Sequence, residues 1–196
     1  MARDPQLNPT AYFEAAMSIL RSEGYEGLTI QAMCERLGVT KGSFYHHFEG
    51  MGGFVVGLME FWEAEQTTDL FDAAEAEVSS LDRSRLILTA SLELDHEAER
   101  SIRVWSTTND RVSTTLRRVD TAREERVRRI WESDGLDSES ARVAAKMGLA
   151  ILIGYQNSST GFDLSDLEDS LATMTEAFRS RIRARRSGAR TDPAGD

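Results

Sequence analysis

Between Pro9 and Pro193 the chain runs for about 180 residues without a proline, the residue least compatible with a helix interior. Strand signals are missing too, since no alternating β-branched run closes on an Asn-Gly or Asp-Gly hairpin turn. Apolar residues recur instead at helical intervals. Phe13, Ala16, Met17 and Leu20 fall at i, i+3, i+4 and i+7, and Gly24 follows as the stop. The pattern predicts an all-α chain of roughly nine helices.

Local signals place the rest. Thr29 is a cap for a helix over Ile30 to Leu37, Gly38-Val39-Thr40 a turn, and Lys41 to Phe48 a third short helix. Beyond Gly50, Gly52 and Gly53 a longer helix is expected from Phe54 to about Ser79. Leu81-Asp82 opens the next, to near Asp95, and a shorter segment ends around Trp105. A charge-laced helix over Asn109 to Ser133 stops at Gly135, and Ser138 to Asn157 and Leu164 to Arg185 complete the set. The tail from Ser187, SGARTDPAGD, reads as disordered. These boundaries suggest a DNA-binding domain over 1–50, a helical ligand-binding and dimerisation domain over 51–186, and a tail over 187–196.

Composition narrows the function. With 40% hydrophobic and 29% charged residues the chain can build a core. No run approaches the roughly 20 apolar residues of a membrane span, and Cys34, the single cysteine, has no intramolecular disulfide partner; a cytoplasmic location is expected. No Gly-rich phosphate loop, HExxH or G-x-S-x-G appears, so an enzyme is not expected and neither metal nor cofactor is called for. The net charge of −10 opposes nonspecific attraction to nucleic acid. Residues 1–50 hold four basic and six acidic side chains, net −2, and the remainder carries −8. Any contact with DNA must therefore rest on local geometry, helix N-termini and a few donors.

The run 28–48, LTIQAMCERLGVTKGSFYHHF, supplies such a geometry. A helix-turn-helix needs small residues at its helix crossing, a tight turn and a short exposed second helix. Ala32 and Cys34 are small, Gly38 can take positive φ, and Val39 can plug the space between the helices. Thr40 suits the N-cap of the second helix, whose positive dipole end can meet a phosphate. Phe44 and Phe48, four apart, anchor that helix on the core and turn Ser43, Tyr45, His46 and His47 to other faces.

Together with AAMSILRSEGYEGLT upstream, this run resembles the N-terminal domain of TetR-family regulators over about residues 10–50, a quarter of the chain. The resemblance implies a homodimeric transcriptional regulator, in the first instance a repressor, released from a palindromic operator by a small apolar or aromatic effector. It implies DNA contacts from Thr29, Thr40, Lys41, Gly42, Ser43, Tyr45, His46 and His47. One departure stands out: where the family continues with a polar cap and a lysine, this chain has Glu49-Gly50-Met51-Gly52-Gly53. Met51 replaces a phosphate-contacting lysine, and each of the two following glycines weakens a helix start by about 1 kcal/mol relative to alanine. That departure and the acidic charge leave one alternative, a helical protein-interaction module that has lost DNA binding.

Other signals have plainer readings. Cys34 is a small core residue, and the Asp95-His96-Glu97 cluster is a solvated helix end. The arginines of 179–186 complement a C-terminal helix dipole. Arg117, Arg118, Arg123, Arg126, Arg128 and Arg129 read as a solvated face of the charge-laced helix. Ala141, Ala144, Ala145 and Gly148, followed by LAILIGY, together with the seam Leu164, Leu167, Leu171, Met174 and Phe178, can bury internally. The resemblance implies a four-helix interface with a twofold mate instead. It also implies an effector site among the middle helices. The aromatic and methionine residues there, Phe71 and Phe162 included, are mostly core, and Trp62, Trp105, Met147, Ile151 and Tyr155 are the candidate effector contacts.

Overall fold

Caps fix most of the helix boundaries. Asn8 accepts a hydrogen bond from the Ala11 N–H at 3.0 Å, with Pro9 at the first helical position, and so starts α1 (Pro9–Glu23). A short 3-10 turn, Tyr25–Gly27, follows. Then come α2 (Ile30–Leu37), α3 (Lys41–His47) and α4 (Met51–Gln66). Side chains of Ser79, Asp95, Asn109 and Asp137 cap α5 (Ser80–Leu92), α6 (His96–Ser106), α7 (Asp110–Asp134) and α8 (Ser138–Gln156). The last helix, α9, is Leu164–Gly188.

The computed structural model describes residues 8–66, 76, 77, 79–158 and 163–188. Among these every regular element is helical, as the proline-free pattern predicts, and no helix is long and apolar enough to cross a membrane. The expected helical stretch over 67–75, Phe71, Phe162 and tail residues 189–196 lie outside the described residues. Two boundaries differ from expectation. Helix α9 runs on through Ser187 and Gly188, and α4 begins at Met51 rather than Phe54. The α4 shift has a clear cause. Phe54, Val55, Leu58 and Met59 are buried, each contributing roughly 1.5–3 kcal/mol, against about 1 kcal/mol lost at each of Gly52 and Gly53. Burial wins.

The described residues belong to two compact units. In the first, over 1–67 and 95–119, α1 packs on α2, α4 and α6, and α2 packs on α3. Its core joins Tyr12, Ile19, Leu20, Met33, Phe44, Phe54, Leu58, Trp62 and Ile102. Gly57 permits one close approach: a Cβ there would lie 2.8 Å from Cζ of Phe13. Asp95 is half-buried, and besides capping α6 it accepts two hydrogen bonds from Arg21 Nε, at 3.0 and 3.1 Å.

The second unit, 68–94 and 120–196, holds α5, residues 120–134 of α7, α8 and α9. Trp131, Leu136, Ala141, Ala144, Phe178 and Ile182 form one cluster; Leu152, Leu167 and Leu171 form another. The small residues of α8 and most of the α9 seam are thus used within the unit. Leu164 remains exposed, as do Val143, Met147, Ala150 and Gly154 along one side of α8. A buried ion pair, Arg83 to Asp134 at 3.4 Å, is completed by Ser80, which donates to Asp134 at 2.9 Å and accepts from Arg179 at 3.1 Å. Arg183 pairs with Glu176 and Arg185 with Asp137, so these arginines are held by carboxylates of their own unit.

The solvated-face expectation for α7 needs a correction at Arg123, which is only 6% exposed. Positions 112, 116, 119, 123, 127, 130 and 134 repeat at three-and-four spacing and form one stripe. Arg123 and Asp134 are the two charged residues on that stripe.

Candidate nucleic-acid interface

The turn between α2 and α3 is set by backbone chemistry. Thr29 has extended backbone, and its hydroxyl accepts from the Ala32 N–H at 3.1 Å, starting α2 where the sequence placed it. Gly38 ends α2 with φ 67° and ψ 32°. In that conformation the Gly38 N–H reaches the Glu35 carbonyl at 3.2 Å and the Val39 N–H reaches the Cys34 carbonyl at 3.0 Å. The buried Cys34 Sγ donates to the Thr40 carbonyl at 3.6 Å, linking α2 to the start of α3. Burial pushes the Cys34 thiol up from its ordinary pKa, and the charge on Lys41 offsets part of that rise.

Helix α3 hangs on Phe44, which is 0% exposed. Its ring meets Tyr12 edge-on at 5.8 Å and lies 5.0 Å from Phe48 and 5.5 Å from Phe54. The half-buried Phe48 packs against the same core, so the expected double anchor forms.

With that face committed, Lys41, Gly42, Tyr45 and His46 are exposed, Tyr45 at 60%. Lys41 and Tyr45 are four apart and share a side of the helix. Thr29 and Thr40 are exposed as well. Thr40 holds the N-cap position with extended backbone, yet its hydroxyl makes no capping bond; Ser43 N–H is satisfied by the Thr40 carbonyl at 3.0 Å instead. The hydroxyl therefore stays available to an outside acceptor. Ser43 and His47 differ from the other six. Ser43 is half-buried and accepts from the Tyr12 hydroxyl at 2.8 Å, while the half-buried His47 ring packs 5.8 Å from Tyr12. Tyr12, unremarked in the sequence, is what orients both; an aromatic one turn into α1 gives little hint of a partner 31 residues away.

The five candidate effector contacts divide between the units. In the first, Trp62 is buried and its indole N–H meets no acceptor among the described residues, and Trp105 stacks nearly parallel to Tyr25 at 6.4 Å. In the second, Met147 is 45% exposed, Ile151 and Tyr155 are half-buried beside the Leu152 cluster, and the Tyr155 hydroxyl lies 3.1 Å from Ser170 Oγ. The second unit also has a partly open cavity of about 70 Å³, which none of these five residues lines. Its walls include Leu88, Ser91, Arg123, Trp131, Leu149 and Met174.

A tight two-helix turn presenting a short exposed helix, followed by a larger helical body, defines a helix-turn-helix regulator. The sequence profile of bacterial regulatory proteins of the tetR family matches residues 13–56. The class A tetracycline repressor from transposon 1721 of Escherichia coli is 35% identical over 63 residues, 32% of this chain and 29% of that protein. The chain thus matches less than a third of that repressor's length. Beyond this segment the likeness is one of fold. A transcriptional regulator from Saccharomonospora viridis, solved with choline, superposes with a TM-score of 0.73 at 13% identity, covering 86% of this chain and 95% of the other. The regulator FadR from Bacillus subtilis, solved with stearoyl-CoA, gives 0.63 at 13% identity, covering 86% and 97%. The likeness to the TetR family of bacterial regulatory proteins is thus one of sequence over residues 13–56 and one of fold beyond them.

Proposed function

We propose that this chain is a TetR-family regulator, a cytoplasmic homodimeric repressor and a binding protein rather than an enzyme, which reads a palindromic operator and releases it on binding a small effector. Residues 1–50 serve DNA recognition and 51–186 serve dimerisation and effector binding. The observation that carries the reading is the division of labour on α3. Phe44 is buried, while Lys41, Gly42, Tyr45 and His46 face outward beside the uncommitted Thr40 hydroxyl. Thr29, Thr40, Lys41 and Tyr45 supply phosphate contacts, and Gly42, Ser43, His46 and His47 lie toward the bases. Ser43 keeps its own O–H for donation while accepting from Tyr12.

The exposed Val143, Met147, Ala150 and Gly154 of α8 support a twofold mate, because small and apolar side chains let two helices approach closely. Two recognition helices one duplex turn apart then call for a palindrome. The ligands of the two structural relatives, choline and stearoyl-CoA, support an effector-binding second domain. Met147, Ile151 and Tyr155 remain proposed contacts within the second unit, whereas Trp62 and Trp105, also candidates, belong to the core of the first. Release needs only that the effector prefer the arrangement unable to hold DNA; a 100-fold preference supplies about 2.7 kcal/mol.

Selection of DNA from a random pool by the full-length protein should yield a palindrome, and Lys41→Ala and Tyr45→Ala should each weaken binding to it at least several-fold in gel shifts. Recovery of no consensus, or unchanged affinity in both variants, would contradict the reading.

A further inference from the structure

In the first unit, Tyr25, Leu28, Met51, Gly52, Trp105 and Arg111 line an open cleft of about 530 Å³. One edge of it is Leu28, next to the exposed Thr29 at the N-cap of α2. Another is the start of α4, three residues beyond Phe48, which closes α3. The cleft thus adjoins the elements that carry the proposed phosphate contacts. The start of α4 brings no cation to it, since Met51, Gly52 and Gly53 lead that helix.

Arg111, the second residue of α7, is the cation of the cleft. It is exposed, and no carboxylate pairs with it among the described residues. The arginines further along α7 are engaged: Arg117 donates to Ser113 at 2.8 Å, and Arg118 donates to Glu63 at 2.9 Å. Asn109 accepts from the N–H groups of Arg111 and Val112 at 3.1 and 3.3 Å through Oδ1, which leaves its amide N–H groups open to an outside acceptor. Asp110 is the one acid among the lining residues. It makes no ion pair with Arg111, and successive side chains of a helix diverge by about 100°. The mouth of the cleft is exposed at Gly52, Thr108, Asp110 and Arg111. A small-molecule site buries most of its ligand, so a cleft this open suits the edge of a large polyanion better.

From this we infer that Arg111 contacts a backbone phosphate of the operator, from outside the residues 1–50 assigned to recognition. A planar guanidinium takes a phosphate through paired N–H donors, and phosphate contacts fix the register of a protein on its duplex. The inference rests on the DNA-binding reading and deepens it: one of the cations that hold the duplex is delivered by α7.

Fluorescence anisotropy across a salt series tests the contact, with the palindrome that the full-length protein selects as the DNA. Arg111→Gln should weaken binding at least about threefold and shrink the slope of log Kobs against log salt by about 0.9, the share of one phosphate. Arg111→Lys, which keeps the charge, should keep the slope. Arg100 is an exposed cation of α6 outside the cleft, and Arg100→Gln should leave the slope unchanged. Replacing operator phosphates one at a time by neutral methylphosphonates then locates the contact. At one phosphate the replacement should weaken the wild type and leave Arg111→Gln unaffected. A wild-type slope in Arg111→Gln, an equal loss in Arg100→Gln, or methylphosphonate penalties that all persist in Arg111→Gln would overturn the inference. Each of these results, obtained with a wild type that binds its palindrome, leaves the DNA-binding reading standing. A wild type that selects no DNA overturns both.

Discussion

Gly38 shows how much of the site hangs on single positions. Its φ of 67° lies in the left-handed region, and a Cβ there would meet nothing within 4 Å. Conformation alone, not crowding, therefore sets the penalty of a side chain. Gly38→Ala should lower stability by about 1–2 kcal/mol in urea unfolding, the usual left-handed penalty for a residue with a Cβ. A loss below a few tenths would show that the turn relaxes freely. The same residues explain why Thr40 can face outward. The α2 C-terminus is closed by backbone bonds from Gly38 and Val39, and the Thr40 carbonyl accepts from Cys34 and Ser43, so no structural duty falls on its hydroxyl.

Helix boundaries test how far sequence signals carry. Asp137 caps α8 as a carboxylate. The Ser140 N–H and hydroxyl each donate to it at 2.9 Å, and with Arg185 nearby they pull its pKa from 3.8 down to about 2. A depressed carboxylate pKa stabilises the fold above the unfolded value and stops doing so as pH falls through the folded one. The thermal midpoint of the wild type should therefore exceed that of Asp137→Asn above pH 4, and the gap should close as pH falls toward 2; a gap independent of pH would contradict this role.

Caps, glycine stops and the aromatic anchors of α3 were legible because each acts within a few residues. The start of α4 was not, because burial of Phe54 and its neighbours outweighs the local penalty of two glycines. Nor was Arg123, since six arginines along one charged helix look alike until packing selects the face that is buried. Only its place on the stripe beginning at Val112 sets it apart in the sequence. Tyr12 left no local trace at all, because its partner Ser43 is brought to it only by the fold.

For the whole molecule the unresolved tension is electrostatic. A chain of net charge −10 must approach a polyanion, and residues 1–50 are themselves −2. Helix termini and a few outward donors can outweigh this only if they converge on phosphates at short range. Because bulk charge works against it, binding should depend on individual cations to an unusual degree. The direct test is the salt dependence of operator affinity for the full-length protein and for Lys41→Ala. The account predicts that log Kobs falls linearly with log salt at a slope near −0.9 per phosphate contacted, and that the slope shrinks by about 1 for each lost Lys41 contact. Affinity indifferent to salt, or an identical slope in the variant, would contradict the claim that α3 and its leading lysine hold the DNA.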